Sequence, residues 1–123
     1  MKSYTDIEQS KVLAKILPLE SADMCYPKDA FEYNYSKEPV CHYSGIGLAH
    51  PCWSLASLLD VLPNGTDIVK EEADTENEKY MCTVGIKDDI ISTFGKNPID
   101  ACVAMIEKLN ELKMLCYESK RVN

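Results

Sequence analysis

The chain has 123 residues, 46% of them hydrophobic and 27% charged, with 13 lysines and arginines against 20 aspartates and glutamates. This length fits a single domain over residues 1–123, because two separate cores of about 60 residues each would be marginally stable. The net charge of −7 argues against nucleic-acid binding through a basic patch. It leaves open a basic partner or an acidic mimic of nucleic acid.

The N-terminal sequence, MKSYTDIEQSKVLAKIL, lacks the long apolar core and the small-residue cleavage site of a signal peptide. No stretch of the chain approaches the roughly twenty apolar residues that a membrane-spanning helix needs. We therefore expect a cytoplasmic protein without membrane association, in which the six cysteines stay reduced.

The first predicted element is a helix that starts at Thr5 and stops at or just before Leu17. Thr5 and Glu8 have the spacing of a capping box, and Pro18 prevents the helix from continuing. The expected buried stripe consists of Val12, Leu13, Ile16 and Leu17.

A short strand at Met24–Tyr26 is followed by an aromatic hairpin. Phe31, Tyr33 and Tyr35 alternate with polar residues, which indicates a strand, and the turn SKEP allows VCHY to return beside it. The predicted hairpin covers 31–43.

A second helix is predicted next, with Pro51 in its first turn and its end at Pro63–Gly65. Its expected buried stripe is Leu55, Leu58, Leu59 and Leu62. Asp67–Lys70 is expected to be a short strand. The acidic segment Glu71–Lys79 is expected to be an exposed loop.

The last third of the chain is predicted to hold a second hairpin and a helix. YMCTVGI and IISTF are two β-rich runs separated by KDD. Asn97 is a suitable N-cap, and Pro98 and Asp100 suit the first turn of a helix that runs to about Leu115. Residues 117–123 are expected to fray. The inward side chains are expected to be Cys102, Met105, Ile106, Leu109 and Leu112.

Strands and helices do not alternate regularly along the chain, so the predicted class is α+β. We expect a mainly antiparallel sheet built from two hairpins, with about three helices packed on one face.

Residues 41–53, CHYSGIGLAHPCW, hold both histidines, two cysteines and the only tryptophan. Cys41, His42, His50 and Cys52 would make a complete tetrahedral zinc set. Their spacing differs from the short C-x-x-C and H-x₃-H loops of zinc modules, and neighbours in a strand point to opposite faces. A structural zinc module is therefore an alternative, and no cofactor is expected.

Cys52 also suggests a second alternative, a cysteine-dependent enzyme or thiol sensor. A thiol near the start of the second helix would gain from the helix dipole, with His42 or His50 as its base. No hydrolase signature surrounds Cys52, and no third group that could orient the base is identifiable. The simpler interpretation is that the cysteines are small buried apolar residues.

Tyr33, Tyr35 and Tyr43 are the candidate binding residues, because exposed tyrosines on a hairpin suit a protein partner. Packing of these rings in the core is the competing interpretation. With the acidic loop beside them, they indicate a small non-enzymatic protein that binds another macromolecule, most simply a protein. The oligomeric state cannot be read from the sequence.

Three stretches carry a family resemblance: SKVLAKILPLESADM (Ser10–Met24), CWSLASLLDVLP (Cys52–Pro63) and NPIDACVAMIEKL (Asn97–Leu109). Together they resemble a family of small uncharacterised proteins from gut Bacteroidetes, often encoded in prophage-like or mobile genetic regions. The resemblance covers the three predicted helices. It implies a bacterial or phage accessory protein of the cytosol and supplies no activity, cofactor or catalytic residue.

Overall fold

The computed structural model describes residues 2–27, 39, 50–71, 79–86 and 88–115. Within these ranges the helices are α1 (Ile7–Ala14), α2 (Leu55–Val61) and α3 (Pro98–Glu111), with a 3₁₀ turn at Leu19–Ser21. The strands are β1 (Met24–Tyr26), β2 (His50–Cys52), β3 (Asp67–Lys70), β4 (Tyr80–Ile86) and β5 (Asp89–Gly95).

The strands form two antiparallel sheets rather than the single sheet that we expected. β1 pairs with β2, and the other three strands lie in the order β3–β4–β5. The α+β class is confirmed, as is the hairpin of β4 and β5. The predicted hairpin over 31–43, most of the acidic loop and the C-terminal tail lie outside the described residues.

The core lies between the three-stranded sheet and the helices. Cys82 and Val84 of β4 are almost fully buried on the sheet side, and α3 packs against β4 and β5. α1 and α2 both contact α3. The inward residues predicted for α3 are confirmed at Cys102, Met105, Ile106 and Leu109, each 0% exposed, whereas Leu112 is exposed.

α3 begins as the sequence indicates. The Asn97 side chain accepts a hydrogen bond from the Asp100 N–H at 2.9 Å, and Pro98 follows in the first turn. The helix ends at Glu111 rather than Leu115, because Lys113 adopts a left-handed conformation with φ of 58°. Gly95 allows α3 to lie close to β5, since a Cβ there would come within 2.5 Å of the Ala101 nitrogen.

The predicted start of α1 was wrong by one residue. Asp6 is the N-cap, and it forms the capping box with Gln9 instead of the Thr5–Glu8 pair. Thr5 is unavailable as a cap because its side chain is fully buried and bonded to other segments. In the predicted stripe, Leu13 and Leu17 are buried, Ile16 is half-buried and Val12 is exposed.

The predicted start of α2 was also wrong. Pro51 lies in β2 opposite Cys25, and the helix begins after the N-cap Ser54. The Asp23 carboxylate fixes this cap, because it accepts hydrogen bonds from the Ser54 N–H and from the Ser54 hydroxyl. In the predicted stripe, Leu58 and Leu62 are buried, Leu55 is half-buried and Leu59 is exposed.

Thr5 joins four parts of the structure. Its N–H donates to the Trp53 carbonyl at 2.9 Å, and its hydroxyl accepts from the Trp53 N–H at 3.1 Å. The same hydroxyl bonds to Ser10 of α1 at 2.8 Å, and the Thr5 carbonyl accepts from the Tyr26 hydroxyl at 2.7 Å. The extended N-terminal segment is thereby bound to α1, to β1 and to the residue after β2.

We expect Thr5→Val to lower the free energy of unfolding by about 1–3 kcal/mol, because the buried Trp53 N–H loses its acceptor. Urea denaturation followed by circular dichroism measures the change. Thr83→Val is the matched control, since the Thr83 hydroxyl bonds to Ser92 at an exposed position of the sheet. Equal stability of Thr5→Val and wild type would show that this bond contributes nothing.

A polar cluster holds the N-terminal segment to the start of α3. The Lys2 ammonium donates to Asp6 and to Asp100, each at 2.9 Å, and the Gln9 amide donates to Asp100 at 2.8 Å. Burial alone would raise the pKa of Asp100, but hydrogen bonds from Lys2, Gln9 and Asn97, with the Lys2 charge, lower it overall.

The lowered pKa of Asp100 gives stability a definite dependence on pH. The ionised carboxylate stabilises the native state above the unfolded-state pKa of about 4, and this contribution is lost as pH falls through the native value. Asp100→Asn should therefore be less stable than wild type at pH 7, and the difference should shrink in acid. Urea midpoints measured across this range, with Glu111→Gln as an exposed control, would contradict the assignment if the difference stayed constant.

Candidate interaction surface

The side of the three-stranded sheet that faces away from the helices carries large apolar side chains. Successive residues of a strand point to opposite faces of the sheet. Cys82 and Val84 are buried, so these two residues and the residues paired with them across the strands point inward. The residues next to them along each strand point outward. We call the outward positions the outer face. They are Asp67, Val69, Met81, Thr83, Gly85, Ile90, Ser92 and Phe94.

Strand register arranges the outer face in three rows. Val69, Met81 and Phe94 are paired across the strands and form an apolar row, and Asp67, Thr83 and Ser92 form the polar row beside it. Gly85 and Ile90 pair in the third row. Because outward positions repeat every second residue, Phe94 and Ile90 lie about 13 Å apart along β5.

The exposure of these apolar side chains is unusual for a sheet with one face in solvent. Such a face ordinarily carries polar residues, since the strands alternate between apolar and polar positions. Here Ile90 is 76% exposed, Phe94 48% and Val69 45%. Grouped apolar exposure of this kind is typical of an interaction surface.

Charged residues border the outer face along the strand direction. Lys79 and Lys96 follow the apolar row, and the Glu71 N–H continues the ladder by donating to the Lys79 carbonyl at 2.6 Å. Asp88 lies at the opposite end, in the turn between β4 and β5. Lys87 lies outside the described residues. Among the described residues, the ion pairs are formed by Lys2 and Lys11, and none of them includes a residue of this charged border.

The predicted binding tyrosines, Tyr33, Tyr35 and Tyr43, lie outside the described residues, as do two of the four predicted zinc ligands, Cys41 and His42. His50 and Cys52 are described and lie two positions apart in β2. Within the described ranges, no group of three or more histidine, cysteine, aspartate or glutamate residues could hold a metal ion. The four-ligand zinc hypothesis stays a prediction.

Cys52 lies in β2, two residues before the N-cap of α2, and its side chain is 0% exposed. Its thiol donates to the Thr5 carbonyl at 3.4 Å. Burial raises the pKa of the Cys52 thiol, and hydrogen bonds with Thr5, Tyr26 and Ser10 offset only part of that rise. The lowering of the Cys52 pKa that we expected from the helix dipole is therefore outweighed. The pKa is raised, whereas a reactive thiolate requires a lowered pKa.

The other described cysteines are also buried thiols rather than disulfides: Cys25, Cys82 and Cys102. Cys82 and Cys102 hydrogen-bond each other between β4 and α3, and this bond together with burial raises the pKa of Cys102. These positions match the interpretation of cysteine as a small core residue.

Comparisons with known proteins identify no relative: no family model, curated protein or solved structure matches the chain. Among the described residues, none of the helices is long and apolar enough to cross a membrane. The resemblance to the Bacteroidetes family therefore stays a prediction.

We expect native Cys52 to resist alkylation by iodoacetamide at pH 7.5 and to react at the rate of an ordinary thiol once the chain is unfolded in urea. Burial and the raised pKa both deplete the accessible thiolate. Peptide mass spectrometry after timed quenching follows each cysteine separately, with the urea-unfolded chain as the control. Rapid labelling of native Cys52 would instead support the thiol enzyme or sensor.

Proposed function

We propose that this chain is a small non-enzymatic protein that acts by binding another protein through its outer face. The observation that carries the proposal is the row of exposed apolar side chains, with Phe94 at 48% and Ile90 beyond it at 76%. Each large apolar group left in water is unfavourable, and a partner would remove that cost.

The outer face also indicates the chemistry of its partner. The apolar side chains of Val69, Met81 and Phe94 call for an apolar surface, and the polar row with Thr83 and Ser92 supplies hydroxyl groups at its centre. Apolar side chains enclosed by a charged border are usual in a protein–protein interface.

Two further properties belong to the proposal. Buried thiols at Cys25, Cys52, Cys82 and Cys102 are in keeping with a reducing compartment, so we place the protein in the cytoplasm. The sequence resemblance supports a bacterial accessory protein of mobile-element origin. The predicted contribution of Tyr33, Tyr35 and Tyr43 to partner binding is still part of this hypothesis.

The chain offers a matched pair of variants for the test. Val69 on the outer face is 45% exposed, and Val12 on α1 is 41% exposed. Replacing either valine by lysine places a charge at a position that already meets water, so both variants should remain within about 0.5 kcal/mol of wild-type stability.

A photo-crosslinking amino acid at position 94, introduced into the full chain in its native host, should give a covalent adduct with a protein. Val69→Lys should abolish the adduct because it puts a charge in the apolar row, next to Met81, whereas Val12→Lys should leave it unchanged. If position 94 gives no more adduct than the same crosslinker placed at position 12, the proposed function is wrong.

A further inference from the structure

We infer that the partner fitted by the outer face is a second copy of the chain, packed face to face about a two-fold axis. This inference rests on the proposed function, since it requires that the outer face binds protein. The axis runs across the strands, over the central row that contains Thr83 and Ser92. Such an interface is isologous, so each contact occurs twice.

The row order of the outer face is self-complementary about this axis. A two-fold rotation about the central row exchanges the rows on its two sides. It brings Phe94 of one copy opposite Ile90 of the second copy, and Ile90 opposite Phe94 of the second copy. The two most exposed apolar side chains of the face thus cover each other, and neither Phe94 nor Ile90 meets itself.

The same rotation brings Met81 of one copy over Gly85 of the second copy. Gly85 is exposed in β4, and a Cβ placed on it would meet nothing within 4 Å. The space above Gly85 can therefore receive the long and flexible Met81 side chain. A glycine on the exposed face of a strand weakens the strand on its own, and close approach of another chain gives it a structural reason.

This orientation of the two copies also brings opposite charges together. Lys96 lies two residues after Phe94, just beyond the end of β5, and Asp88 precedes Ile90 by two residues at the other end of the strand. The two-fold rotation places Lys96 of one copy near Asp88 of the second copy, and Asp88 near Lys96 of the second copy. Opposite charges in these positions favour the association.

Asp67 opposes the association. It lies in the central row on β3, so the two-fold rotation brings the Asp67 carboxylates of both copies near each other at the rim. Solvent reduces this repulsion without removing it. The outer face also has far fewer residues than the roughly 20–30 per partner of a standard interface, so the dimer should be weak, with a Kd on the order of 10 µM or higher.

Sedimentation velocity of the purified full chain, from about 1 to about 500 µM, should show a reversible monomer–dimer equilibrium. Val69→Lys should raise the dimer Kd at least about tenfold, and Val12→Lys should leave it unchanged. Gly85→Leu should keep a stable monomer, because space is open at that position, and should weaken the dimer by filling the site of Met81. Asp67→Asn should tighten the dimer.

Charge reversal separates self-association from other binding. Lys96→Asp and Asp88→Lys should each weaken the dimer about three- to tenfold, and the double variant should recover most of the loss because it restores opposite charges. If neither Val69→Lys nor Gly85→Leu changed the dimer Kd, the inference would be wrong, because the dimer would form through another surface.

A chain that stays monomeric at the highest concentration would also overturn the inference. In that case, the crosslinking experiment at position 94 tests the proposed function separately. An adduct with a different protein, lost in Val69→Lys, would leave the proposed function standing with another partner. The absence of any adduct would overturn both. An adduct of twice the chain mass supports the second copy.

Discussion

The fold depends on the paired hydrogen bonds between Thr5 and Trp53, which join residues 48 positions apart in the chain. Both residues are fully buried, so water cannot replace these bonds and each buried polar group needs its partner. Tyr26 and Ser10 bond to Thr5 as well. This one residue thereby fixes the relative positions of α1, β1 and β2, and through Trp53 the start of α2.

From that junction the helices extend over one side of the three-stranded sheet. α3 carries seven buried residues and covers β4 and β5, while α1 and α2 pack on α3. Among the described residues, no helix is left to cover the other side. Two layers suffice for a core of this size, but they leave the outer face in contact with water. The proposed function rests on this exposed apolar face.

Elements specified by local signals could be predicted from the sequence. Asn97 followed by Pro98 specifies the start of α3, and alternation together with the KDD turn specifies the β4–β5 hairpin. The starts of α1 and α2 could not be predicted, since they depend on distant partners. The Thr5 hydroxyl accepts a hydrogen bond from the Trp53 N–H and does not cap α1. Pro51 lies in β2 because this strand pairs with β1, where Pro51 is opposite Cys25.

The candidate surface was missed for a related reason. The segment IISTF carries apolar residues at both parities of the strand, which marks a strand that is apolar on both faces. That signal was present in Ile90, Ile91 and Phe94. Whether the second face is buried depends on the number of layers, which no local pattern encodes. The tyrosines, Cys41 and His42 lie outside the described residues, and their predicted roles stay predictions.

The position of Trp53 gives the protein a built-in optical probe. It is the only tryptophan, it is 0% exposed, and its indole N–H donates to the Ser21 hydroxyl at 2.9 Å. Its fluorescence therefore reports the junction of the N-terminal segment, the 3₁₀ turn and α2, and Trp53 belongs to the buried core, from which the outer-face side chains point away. Emission should be insensitive to whatever covers the outer face and should shift to the red only when the junction itself opens to water.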